Sequence, residues 1–88
     1  MTTEQLLLEC KKGLNIQAET TAFDGVLTQK LLAVKSFMAR AGVSDEAMED
    51  DAAVAVIVIG VADIWNNEPG GIKFSPVFYT MLAQLTFE

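Results

Sequence analysis

Histidine, cysteine and paired carboxylates carry most side-chain chemistry, and this chain holds few of them. It has no histidine and one cysteine, Cys10. Metal clusters built on imidazole and nucleophiles activated by a histidine base have no material here. Cys10 has no base beside it in sequence. It falls on an apolar stripe with Leu6, Leu7 and Leu14, which makes it a small buried hydrophobe. Carboxylates are more plentiful. Asp45, Glu46, Glu49, Asp50 and Asp51 put five acids into seven residues. Such neighbours repel one another, so the segment is expected to stay solvated. A catalytic pair needs burial to move its pKa. A calcium loop needs alternating oxygen ligands around a central glycine. The segment offers neither.

Other short patterns weaken on inspection. Asn67-Glu68-Pro69-Gly70-Gly71 is rich in glycine but lacks the lysine and spacing of a phosphate loop, so it reads as a turn. The run from Gln29 through Gly42-Val43-Ser44 echoes a helix-turn-helix. The helix that would enter the groove begins Asp45-Glu46 and runs on through Glu49-Asp50-Asp51, which phosphates repel. Asp63 is expected on an exposed helix edge, or paired with Lys30, Lys35 or Arg40. Trp65, Phe74, Tyr79 and Phe87 gather near the end of the chain. They serve core packing or a candidate protein interface, where aromatic anchors are common.

The elements that would place these residues are helices. Ala52 to Ala62 passes without a polar side chain. Val54, Val56, Ile57, Val58, Ile59 and Val61 are β-branched, which favours a strand. The length of the stretch to Asn66 favours a helix. So does Asp50-Asp51 in front of it as N-cap and neighbour, with Asn67, Pro69, Gly70 and Gly71 behind. Read as a helix over 52–66, apolar all round, it must be the central one. Its rise of about 22 Å is too short to span a bilayer core.

Around it the pattern predicts three more helices. Thr2 and Gln5 have capping-box spacing at the start of the first. Glu4, Glu9, Lys11 and Lys12 are expected to face away from its apolar stripe, and Gly13 to stop it. Leu27, Leu31, Val34, Met38 and Ala41 step by four and three along a second helix, from about Ala22 to Ala41, flanked by Phe23 and Phe37 and stopped by Gly42. Ser44 caps a short turn over Asp45 to Met48. Ser75-Pro76 opens the last helix with Val77, Phe78, Met81, Leu82 and Leu85 on its apolar face. Phe74 stands at staple spacing from Tyr79. The fold class is therefore all-α: a single domain over 1–88, a small bundle of about four helices around the central apolar one.

Composition bounds the partners. The net charge is −6, with twelve acids against six bases. That opposes a nucleic-acid surface and docking on anionic lipid. Hydrophobic residues make up 51%, and the mean hydropathy is +0.32. That surplus points to apolar surface reserved for self-association. Met1-Thr2-Thr3-Glu4 does not read as a secretory signal, and one cysteine fits a reducing site of synthesis.

Several stretches together resemble the small head–tail connector (head-completion or adaptor) proteins of tailed bacteriophages and prophages. They are Glu4-Gln5-Leu6-Leu7-Leu8-Glu9-Cys10-Lys11 with Gly13-Leu14-Asn15-Ile16, the second amphipathic helix ending near Gly42, Ala62-Asp63-Ile64-Trp65-Asn66-Asn67, and Phe74-Ser75-Pro76-Val77-Phe78 leading to Leu82-Ala83-Gln84-Leu85. The resemblance covers nearly the whole chain. It implies an all-α structural virion protein, without enzymatic activity or cofactor. Such subunits form a ring of about a dozen copies below the portal, extend the DNA channel and join head to tail or stopper. They are made in the bacterial cytoplasm and end at the head–tail junction. The five acids would then face the lumen or the solvent. The alternative is a small helical interaction module or regulator outside a virion.

Overall fold

The computed structural model describes residues 1–65 and 73–86. Among them are five α-helices and no strand: α1 (Thr3–Gly13), α2 (Asp24–Arg40), α3 (Asp45–Met48), α4 (Asp51–Trp65) and α5 (Pro76–Thr86). The fold is all-α, with α3 as the short acidic turn. The helical reading of the β-branched run holds. α1, α2, α3 and α5 all pack against α4, which gives its apolar side chains cover on several sides. Val56, Ile57 and Val61 are at most 1% exposed. None of the described helices is long and apolar enough to cross a membrane.

Local signals set most of the boundaries. Thr2 Oγ1 accepts from Gln5 N at 3.1 Å while Thr2 N donates to Gln5 Oε1 at 2.8 Å, which completes the capping box of α1. Ser44 Oγ accepts from Ala47 N at 3.1 Å and starts α3. Asp50 Oδ1 accepts from Ala52 N at 3.0 Å and starts α4. At the end of α2, Gly42 adopts a left-handed φ of 109°. Val43 N then reaches Met38 O at 3.1 Å, and Gly42 N reaches Ala39 O at 3.1 Å. This is a Schellman close, and Val43 and Met38 share the core behind it.

The core is the apolar face of α2 meeting α4, with α1 and α5 on the flanks. Leu27, Leu31, Val34 and Met38 are fully buried, as their four-and-three stepping predicts. Ala41 is the exception: it stands past the last turn as the C-cap and is exposed. On α5, Phe78 and Leu82 are buried, but Val77 is 57% exposed, so it is not on the apolar face. It lies one position, about 100°, off that face.

Two glycines set how closely helices approach α4. A Cβ on Gly60 would sit 2.6 Å from Phe78 Cε1 and 2.8 Å from Val34 Cγ1. Only hydrogen fits where α2, α4 and α5 converge. A Cβ on Gly13 would sit 2.4 Å from Val58 Cγ1. Gly13 is thus a packing glycine between α1 and α4. The stop of α1 belongs to Asn15, at φ 62°, with Ile16 N donating to Lys11 O at 2.8 Å.

Candidate functional site

Three constellations on this scaffold bear on function. The first is the acidic segment. Asp45, Glu46, Glu49, Asp50 and Asp51 are all exposed, each on α3, on the link after it or on the first turn of α4. Asp45 and Glu46 suit the positive N-terminus of α3, and Asp50 and Asp51 that of α4. Among the described residues Glu49 is the member of this segment with an ion-pair partner, the amino terminus of Met1. That hydrogen bond and charge, helped by Lys35, hold its carboxyl below the usual glutamate range. Among the described residues no group of three or more acids, cysteines or histidines converges as a metal site would require.

The second is the aromatic group, which the structure divides. Phe74 is buried and stacks on Phe78 with centroids 4.1 Å apart and planes 16° off parallel. Phe37 joins them at 4.9 and 6.0 Å. Tyr79 meets this stack edge-on, at 6.2 Å from Phe74 and 5.7 Å from Phe78, with 49% of its own surface in water. The staple spacing of Phe74 and Tyr79 therefore becomes a contact. Trp65 stands apart, edge-on to Phe23 at 5.6 Å, half-buried. Phe87 lies outside the described residues.

The third was not legible as a site. Lys11 is not a surface lysine facing away from the stripe: it is 3% exposed. Its Nζ donates to Ala18 O at 3.1 Å and Thr20 O at 2.8 Å, and lies 2.8 Å from Asp24 Oδ1. That carboxylate oxygen is shielded from water and makes no aligned hydrogen bond, so Coulomb attraction is its compensation. Leu7, Lys11 and Leu14 do share four-and-three spacing, which was the available signal. The carbonyl partners come from an irregular connection, which no periodicity announces.

Asp63 is neither a bare edge residue nor paired with α2. Its Oδ2 accepts from Ser75 N at 2.9 Å and from Ser75 Oγ at 2.8 Å. Ser75 Oγ in turn accepts from Phe78 N at 3.2 Å. Asp63 thus fixes the capping residue of α5 to α4. Cys10 is buried, and its thiol is pushed up to about 11 by burial first and by Glu9 second. At neutral pH it is a protonated thiol and a poor nucleophile.

Several large apolar side chains stand on the outer surface. Leu8 on α1, Phe23, Val26 and Leu32 along α2, and Val77 and Tyr79 on α5 are each 44% to 57% exposed. No family model, curated protein or solved structure matches this chain.

Proposed function

We propose that this chain is a structural subunit that joins the head of a tailed bacteriophage to its tail, as a ring below the portal through which DNA passes. The observation that carries the reading is the spread of exposed apolar side chains over three different helices. Leu8, Leu32 and Val77 stand on α1, α2 and α5 respectively. A subunit that joins two like neighbours head-to-tail, and a different protein above or below, needs more than one docking face. A one-partner module needs a single contiguous patch. The resemblance to connector proteins along the helices points the same way. In this role the chain works by shape and charge, with no reaction and no cofactor.

The test mixes the purified chain with assembled portal rings and images the product by electron microscopy. A ring of added density coaxial with the portal is the expected result. Portal rings that stay bare at saturating concentrations of the chain would overturn the reading.

A further inference from the structure

The positions Phe23, Val26, Lys30, Ala33, Phe37 and Arg40 recur every three or four residues, so they form one stripe along α2. Phe23, Val26, Ala33 and Arg40 are exposed, and Lys30 and Phe37 are half-buried. Near its C-terminal end the stripe borders a groove of about 260 Å³ lined by Ala33, Ser36, Phe37, Arg40, Ile64 and Phe74. The stripe is largely apolar with two cations and no acid. Lys11 and Lys12 have carboxylate partners, and Lys35 lies near enough to Glu49 to act on it. Among the described residues Lys30 and Arg40 have no ion pair. In a chain of net charge −6, two cations without acid partners on one largely apolar helix stripe are an arrangement to explain. The complementary surface is on the same molecule. Asp45, Glu46, Asp50 and Asp51 are exposed and, among the described residues, make no ion pair.

We infer that the α2 stripe docks the acidic segment 45–51 of a second copy of the chain. The two surfaces differ, so the contact is head-to-tail, and each copy keeps one of each free for the next. Such contacts close into a ring when the rotation allows it. The inference deepens the connector reading by naming the contact between neighbouring subunits.

Two charge-reversed variants of the full chain test it. One carries Lys30→Glu with Arg40→Glu, the other Glu46→Lys with Asp51→Lys. Self-association is read by sedimentation at rising concentration, at about 50 mM and about 500 mM salt. Wild type is expected to associate more strongly at low salt. Each variant alone should associate at least roughly tenfold more weakly. A one-to-one mixture should recover assembly, because each reversed surface then meets its opposite. Variants that associate like wild type, or a mixture that stays dispersed, overturn the contact. So does a wild type that is monomeric up to about 1 mM, or one that retains duplex DNA through the stripe instead. Should a reversal unfold the chain, Lys30→Gln with Arg40→Gln replaces it, with loss of the salt dependence expected and its persistence overturning the contact. Bare portals with the recovered mixture intact sink only the connector reading. Decorated portals indifferent to both variants sink only this contact.

Discussion

α1 and α5 both pack on the central helix α4, but the polar ties that hold them lead to different places. Each flank has one packing glycine and one polar tie. On the α5 side the glycine is buried Gly60, which faces side chains of two helices, Phe78 and Val34. Its tie is Asp63 to Ser75, half-buried, between a carboxylate and two neutral donors. On the α1 side Gly13 is exposed and faces one side chain, Val58. Its tie is a buried ammonium held by two carbonyls and a carboxylate. So α5 depends chiefly on shape, while α1 and the connection after it depend on charge. An apolar contact fails gradually as atoms are removed. A buried charge fails abruptly, because the partner left behind has no water to turn to.

The largest expected effect lies on the charged side. Lys11→Met preserves length and removes the ammonium, leaving Asp24 Oδ1 and two carbonyls without it. The expected loss is about 3 kcal/mol in urea unfolding, the low end for a broken buried pair because Asp24 keeps 34% of its side chain in water. A loss under about 1 kcal/mol would equate this tie with a surface pair and erase the contrast.

Next comes the glycine pair. Gly60→Ala should cost about 1–2 kcal/mol, overpacking against Phe78 and Val34 being partly offset by better helix propensity. Gly13→Ala should cost under about 1 kcal/mol, since Val58 is half-buried and has room to shift. The reverse order would show that α1, not α5, is the flank that depends on fit.

Asp63→Ala is expected to cost about 1–2 kcal/mol through the lost bonds to Ser75. It also sharpens the comparison through Cys10, whose buried thiol reports opening of α1. Thiol labelling of the native protein at pH 8 should accelerate strongly in Lys11→Met and less in Asp63→Ala than its stability loss would give. Equal acceleration per unit of stability would mean that both flanks open only with the whole molecule. With the Cys10 pKa raised to about 11, the folded state holds its proton longer than the unfolded one. Stability therefore falls as pH rises between about 9 and 11, and the Cys10→Ala variant should lack that slope.

The smallest effect is at Glu49. Its carboxyl should titrate below the other glutamates in an NMR pH series, and acetylating the amino terminus should return it to their range. The depressed folded value means that the contribution is present above the unfolded pKa and lost as pH falls through the folded one. Because Glu49 is exposed, the whole protein's stability should scarcely register it.

The same contrast explains what could be read from sequence. The shape-dependent parts repeat. Leu27, Leu31, Val34 and Met38 announce their stripe, and the run from Ala52 to Ala62 announces the central helix, whose Ala53, Val56, Ile57, Gly60 and Val61 are buried. Caps are equally local: Thr2 with Gln5, Ser44, Asp50 and Ser75 each act within three residues. Exposure of the acidic segment follows from repulsion among its members. The polar ties escape such reading, because their partners are set by the path of the chain. Lys11 finds carbonyls seven and nine residues on, and Asp63 finds Ser75 twelve residues on. Gly13 stood where a helix stop belongs, and only the neighbouring helix revealed its packing role. The aromatic group was legible as a set, but its division into the Phe37–Phe74–Phe78 stack and the Phe23–Trp65 pair was not.

The position of α4 in the chain has a consequence for synthesis. The helix on which every other helix packs is the fourth of five. A ribosome adding about 5–20 residues per second needs roughly 1–5 s to extend the chain from Arg40 to Trp65. For that time the stripes of α1 and α2 have each other but not the helix that covers them. The nascent chain thus displays its most adhesive faces first and receives their cover late. Codon choice ahead of α4, and chaperone capacity near the ribosome, should therefore govern its yield more strongly than the final stability of the fold.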